Sequence, residues 1–67
     1  MEVVNQLGYI RETIMGISQE QLARKSSVSR HTISEIELHK RVPTLKTAML
    51  LAKALDCPVE SIFKLKK

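Results

Sequence analysis

The sequence predicts one small all-α domain made of short helices around a single core. Three observations point there. Apolar residues recur at helical spacing, with no alternating strand signal. Gly and Pro number only two each, too few for a chain of strands and tight turns. Three stretches open on a hydroxyl residue placed to cap a helix. At 67 residues, the chain has room for one domain, not two.

Each element follows from local chemistry. Leu7, Ile10 and Ile14 keep helical spacing, so a first helix is expected from Asn5 to Met15, with Gly16 as its stop. Ser18 is an N-cap for the second helix. Gln21 completes a capping box, and Ile17 and Leu22 form a hydrophobic staple. That helix is expected to end near Ser26. Ser29 caps a third helix, with Val28 and Ile33 as its staple and Ile36 extending the buried stripe. It is expected to end near Leu38 or His39, before Pro43. Thr44 caps a fourth helix carrying Leu45, Ala48, Met49, Ala52 and Leu55 on one face. Asp56 and Pro58 break it. A last turn over Val59 to Lys64 sets Ile62 and Phe63 against the rest, and Lys66 and Lys67 are left as a loose end.

Composition narrows the function. A chain this short buries only about 60 % of its unfolded surface, too little for a deep catalytic pocket on a scaffold. No nucleophile–base pair is visible, so an enzyme is not expected. Tyr9 and Phe63 are the only aromatics, which disfavours a platform of stacked rings. The single Cys57 has no disulfide partner and reads as an inert thiol beside the core, in keeping with a reducing cytoplasm. The longest clean apolar run, Ala48 to Ala52, falls far short of the roughly 20 residues a membrane helix needs. No basic leader opens the chain. No cofactor is expected. His31 and Glu35 are spaced as half a metal site, but no further ligands accompany them, so no metal is expected either.

The net charge of +4 is unevenly placed. Residues 1–23 carry −2 and residues 47–63 carry −1, whereas residues 24–46 carry +4 and the 64–67 tail +3. A concentrated basic block is the electrostatic footprint of a phosphate-binding surface.

That block overlaps two capped helices joined by a turn of about three residues, Ser27 to Ser29. This is a helix-turn-helix unit spanning residues 18–38. Ala23 supplies the small residue where the helices cross. Leu22, Val28, Ile33 and Ile36 supply the inward face, and Ser29, Arg30, His31, Ser34 and Glu35 point outward. Arg is the best bidentate partner for guanine, and Glu35 can accept from the cytosine amino group, or repel phosphate and so penalise wrong registers.

The stretches S-Q-E-Q-L-A, V-S-R-H-T-I-S-E-I-E, K-R-V-P-T-L and L-A-K-A-L-D-C-P-V-E-S-I-F resemble, in order, those of phage repressors, Cro proteins and their small bacterial relatives. The likeness covers residues 5 to 63. It implies a compact five-helix lambda-repressor-like DNA-binding domain over the whole chain, with the helix-turn-helix at helices 2 and 3 and the third helix in the major groove. It further implies a sequence-specific regulator of double-stranded DNA, a repressor working as a homodimer on a pseudo-palindromic operator.

By the same resemblance, Arg30, His31, Ser34 and Glu35 read bases, and Gln19, Ser29, Lys40, Arg41 and Thr44 contact phosphate. Arg11 and Glu37 hold positions of a structural ion pair. Helix 5 with Leu50, Ile62 and Leu65 is the expected dimer face. The chain departs from the family at four places. Ser27 and His39 stand where Gly is usual, His31 stands where Gln is frequent, and the Arg11–Gln19 segment is one residue longer than the common spacing. The competing reading on the same fold is a protein-interaction module of the antitoxin or anti-repressor kind.

Overall fold

The computed structural model describes all of residues 1–67. A strand, β1 (Glu2–Asn5), leads into α1 (Leu7–Tyr9), which continues without a break as a π-helical stretch (Ile10–Met15). Four helices follow: α2 (Gln19–Ser26), α3 (Arg30–Glu37), α4 (Leu45–Ala54) and α5 (Val59–Ile62). A second strand, β2 (Phe63–Lys66), closes the chain.

The helix-only expectation therefore misses a terminal ribbon. β1 and β2 pair antiparallel, with Val3 opposite Leu65 and Asn5 opposite Phe63. The first helix accordingly starts at Leu7, not Asn5; Lys64, expected in the last turn, and Lys66, expected in a loose end, both belong to a strand. Asn5 turns the chain. Its Oδ1 accepts from the Leu7 N–H at 3.1 Å, and its Nδ2 donates to the Ile36 carbonyl at 3.0 Å. One side chain thus joins β1 to the start of α1 and the end of α3.

Local capping shapes the centre. Ser18 Oγ accepts from the Gln21 N–H at 3.0 Å, while Gln21 Oε1 accepts from the Ser18 N–H at 2.8 Å. Ser29 and Thr44 cap α3 and α4 through the N–H groups of Thr32 and Thr47. At the far ends, α3 and α4 both close in Schellman turns. His39 N–H donates to Ile36 and Lys40 N–H to Glu35; Asp56 N–H donates to Lys53 and Cys57 N–H to Ala52. The residues at the left-handed positions are His39 (φ 61°) and Asp56 (φ 54°), neither of them glycine. Ser27, between α2 and α3, is left-handed too (φ 61°).

The core is one cluster: Leu7, Ile10, Leu22, Val28, Ile33, Ile36, Leu51, Ala52, Leu55 and Ile62. Four expectations change here. Ile62 is fully buried and offers nothing to a dimer face, because the one-turn helix α5 lays it directly onto the other helices. Leu50, expected at the same face, is half-buried and packs against the core. Leu45 and Met49 are 74 % and 57 % exposed, since the buried stripe of α4 runs through Ala48, Leu51, Ala52 and Leu55. Ile14 is exposed for a related reason: the wider π turn rotates it off the face that Leu7 and Ile10 share.

Candidate nucleic-acid interface

The three-residue turn between α2 and α3 is held from both sides. Ser27 N–H donates to the Ala23 carbonyl, and the buried Ser26 Oγ accepts from Val28 N–H at 3.2 Å. Val28 is itself buried, so the turn is pinned to the core and fixes where α3 begins.

α3 then divides cleanly. Ile33 and Ile36 are fully buried. Arg30 and His31 are exposed, and Ser34 and Glu35 are half-exposed on the same outward side. Ser29 sits at the cap, its hydroxyl donating to Thr32 Oγ1 at 2.8 Å. Leu38, one helical turn beyond Ser34, is 60 % exposed and extends the outward stripe. In the sequence Leu38 is legible only as a helix end, which hides its outward exposure.

Beneath this stripe lies a buried ionic hub. Arg11 donates from Nε to Glu37 Oε2 at 2.8 Å and from Nη2 to Glu37 Oε1 at 3.0 Å, the two-pronged geometry guanidinium and carboxylate prefer. Nη1 donates to the Ile17 carbonyl at 2.9 Å, and Nη2 also reaches Glu12. The side chains of Arg11 and Glu37 are only 8 % and 12 % exposed. Gln19 Nε2 donates to Glu37 Oε1 at 3.0 Å, so Gln19 braces α3 from the first turn of α2.

The hub sets its own electrostatics. Hydrogen bonding to Glu37 raises the Arg11 guanidinium further above its ordinary range, against the opposing effect of burial. Burial pushes the Glu37 carboxyl up, but the hydrogen bonds from Arg11 and Gln19, with the charge of Arg11, outweigh it, so Glu37 lies below the usual carboxylate range.

The extra residue between Arg11 and Gln19 is absorbed by the π stretch. There the Gly16 and Ile17 N–H groups both reach back to the Arg11 carbonyl, Ile17 at 3.0 Å, and Gly16 takes a left-handed turn (φ 66°). A π turn takes up one more residue than an α turn without ending the helix. Arg11 therefore still faces Glu37. Gly8 completes the hub, because a β-carbon there would stand 3.3 Å from Glu37 Oε1.

Lys40 and Arg41 follow α3 at the exposed side, and Thr44 begins α4 just beyond. Lys40 and Arg30 make no ion pair, whereas Arg41 Nη2 lies 2.7 Å from Glu35 Oε1. His31 Nε2 lies 3.5 Å from the same oxygen. Cys57 is half-buried, and burial, with Asp56 nearby, pushes its thiol up. No three His, Cys, Asp or Glu side chains converge anywhere in the chain. No helix is long and apolar enough to cross a membrane.

A capped pair of helices on a pinned turn, the second with a polar outward face in a basic surround, defines a DNA-binding class of protein. The helix-turn-helix family model matches residues 7–62, and this chain belongs to that family. It is 44 % identical over 59 residues to an uncharacterized HTH-type transcriptional regulator of Methanocaldococcus jannaschii, covering 88 % of each chain. It is 36 % identical over 52 residues to an HTH-type regulator, YgzD, of Bacillus subtilis, covering 78 % of this chain and 79 % of that one. It is 43 % identical over 49 residues to the control protein C.SmaI of Serratia marcescens, covering 73 % of this chain and 58 % of that one. The chain is a DNA-binding transcriptional regulator of the helix-turn-helix family.

Proposed function

We propose that α2 and α3 are the helix-turn-helix itself, that α3 enters the major groove, and that the whole chain is one sequence-specific DNA-binding domain. The observation that carries this is the split of α3 into a fully buried Ile33–Ile36 face and an outward stripe of Arg30, His31, Ser34 and Glu35. Arg30, on the first turn and free of any carboxylate, is placed to read guanine. The N-termini of α2 and α3 offer backbone amides and positive dipole ends to phosphates, with Ser29 at one and Gln19 at the other. Lys40, Arg41 and Thr44 flank the groove as backbone contacts. Thr44 offers its hydroxyl hydrogen to a phosphate only by giving up its donation to Thr47 Oγ1 at 3.1 Å, while Oγ1 keeps accepting from Thr47 N–H.

The protein acts as a repressor and as a homodimer. Two copies would set their third helices in successive major grooves about 34 Å apart, on a pseudo-palindromic site. With Ile62 buried, the exposed apolar side chains that β2 and α4 offer for self-association are Leu65, Leu45 and Met49, with the half-buried Leu50 beside the two on α4.

Selection of bound duplexes from a random library, followed by titration at two salt concentrations, tests the reading. An enriched inverted repeat bound with steep salt dependence is expected. Binding without any enriched sequence would sink it, and a tight protein partner without salt-sensitive DNA binding would favour a protein-interaction module instead.

A further inference from the structure

Glu35 stands on the outward side of α3, yet its carboxylate is already engaged. Oε1 lies 2.7 Å from Arg41 Nη2 and 3.5 Å from His31 Nε2. The loop after α3 makes this possible. Lys40 N–H donates to the Glu35 backbone carbonyl at 2.9 Å, which folds the chain back and delivers Arg41 to the carboxylate of the same residue. Oε1 is covered from solvent, but no well-aligned hydrogen bond reaches it. The Arg41 side chain is 49 % exposed, and an ion pair at so open a position contributes little energy. Such a contact is readily exchanged for another anion.

Resting on the reading of α3 as the recognition helix, we propose that Glu35 is a positioning residue that withholds Arg41 from the phosphates of wrong DNA. Non-specific binding comes almost entirely from cations neutralising phosphates. Arg30 and Lys40 are free to contribute, whereas Arg41 is neutralised internally. On arbitrary duplex, moving Arg41 to a phosphate leaves the Glu35 carboxylate unpaired beside groove acceptors and phosphates, so the exchange gains little. On the operator, α3 seats with Glu35 against a base-edge amino donor, such as that of cytosine. The carboxylate is then satisfied by the base, and Arg41 is released to the backbone. Affinity from Arg41 is thereby made conditional on the correct base beneath Glu35.

Fluorescence anisotropy with the full chain tests this, using the selected operator and a scrambled duplex across a salt series. Glu35→Gln is expected to bind the scrambled duplex about tenfold tighter at low salt. Its plot of log affinity against log salt should be steeper by about 0.9, the increment for one more neutralised phosphate. The operator gains less, so the ratio of the two affinities falls. Adding Arg41→Ala to Glu35→Gln should erase the gain and restore the shallower slope. An unchanged slope in Glu35→Gln, equal gains on both duplexes, or a gain that survives Arg41→Ala overturns the proposal; the last would report only relief of repulsion by Glu35 itself. Helicity measured by circular dichroism separates a misfolded variant from a true result, and Glu35→Ala must repeat the pattern. Wild type that shows no salt-sensitive binding to either duplex defeats the DNA-reading assignment itself, a different failure from wild type that binds while Glu35→Gln gains nothing.

Discussion

Replacing Glu37 by Gln keeps the shape of the hub but removes its charge. Arg11, only 8 % exposed, then keeps Ile17 and Glu12 as partners but loses the carboxylate that neutralises it at 2.8 and 3.0 Å. Removing one member of a buried pair costs about 3–5 kcal/mol, because the remaining charge stays buried. The lower end applies, since those two acceptors remain and the Gln amide oxygen can still take one hydrogen bond. Small domains hold roughly 0.05–0.15 kcal/mol per residue, about 3–10 kcal/mol for a chain of this length. Glu37→Gln therefore consumes a large share of the total and is expected to lower Tm by about 12–24 °C, at roughly 4–8 °C per kcal/mol. Thermal unfolding followed at 222 nm measures it. The pair Arg11→Met with Glu37→Leu should recover much of the loss, as well-packed apolar replacements of buried ion pairs do. A single variant as stable as wild type, or a double variant no better than the single, would refute the hub as the clamp between the π-helical stretch and α3.

Three further outcomes follow from other parts of the molecule. Acid should weaken the fold through Glu37: its folded carboxyl is depressed, so its contribution is complete above the unfolded value of about 4.3 and is lost as pH falls through the lower folded value, which denaturant titrations between pH 6 and pH 2 would show. Ser27→Gly should stabilise by about 0.5–1 kcal/mol, because a left-handed residue with a β-carbon costs roughly 1–2 kcal/mol and glycine gives part of that back as chain entropy; urea midpoints check it. Cys57 should react with a thiol reagent at pH 7.5 far more slowly in the folded protein than in urea, since it is half-buried and its thiol is held protonated; equal rates would contradict that environment.

What the sequence discloses depends on how far apart the cooperating residues lie. Caps are local, so Ser18 with Gln21, Ser29 and Thr44 announce α2, α3 and α4 within three residues of each start. The β1–β2 ribbon is not local: Val3 meets Leu65 across nearly the whole chain, and four-residue strands leave no alternation long enough to notice. Periodicity marks the α4 helix but sets its buried face one step off, toward Leu45 and Met49, because both faces carry apolar residues. The glycine-to-serine and glycine-to-histidine departures at Ser27 and His39 were visible, and both residues do take positive φ there. The extra residue before Gln19 was visible as well; the π turn that absorbs it was not, since that rests on which carbonyl Gly16 and Ile17 reach. The Arg41–Glu35 contact is hidden in the sequence for a related reason, as it depends on the loop folding back through Lys40. Gly8 had a signal of its own, a glycine inside a helical pattern, which often marks a close approach.

The central claim is that α3 reads bases while the loop after it holds the backbone. Binding of Arg30→Ala and Lys40→Ala to the selected operator and to its single-base variants, across a salt series, tests this most directly. Arg30→Ala should lose discrimination worth about 1–3 kcal/mol at one base pair and keep it at the others. Lys40→Ala should weaken binding to every duplex alike and flatten the salt slope by about one contact. Uniform losses of the same kind from both variants would contradict the assignment.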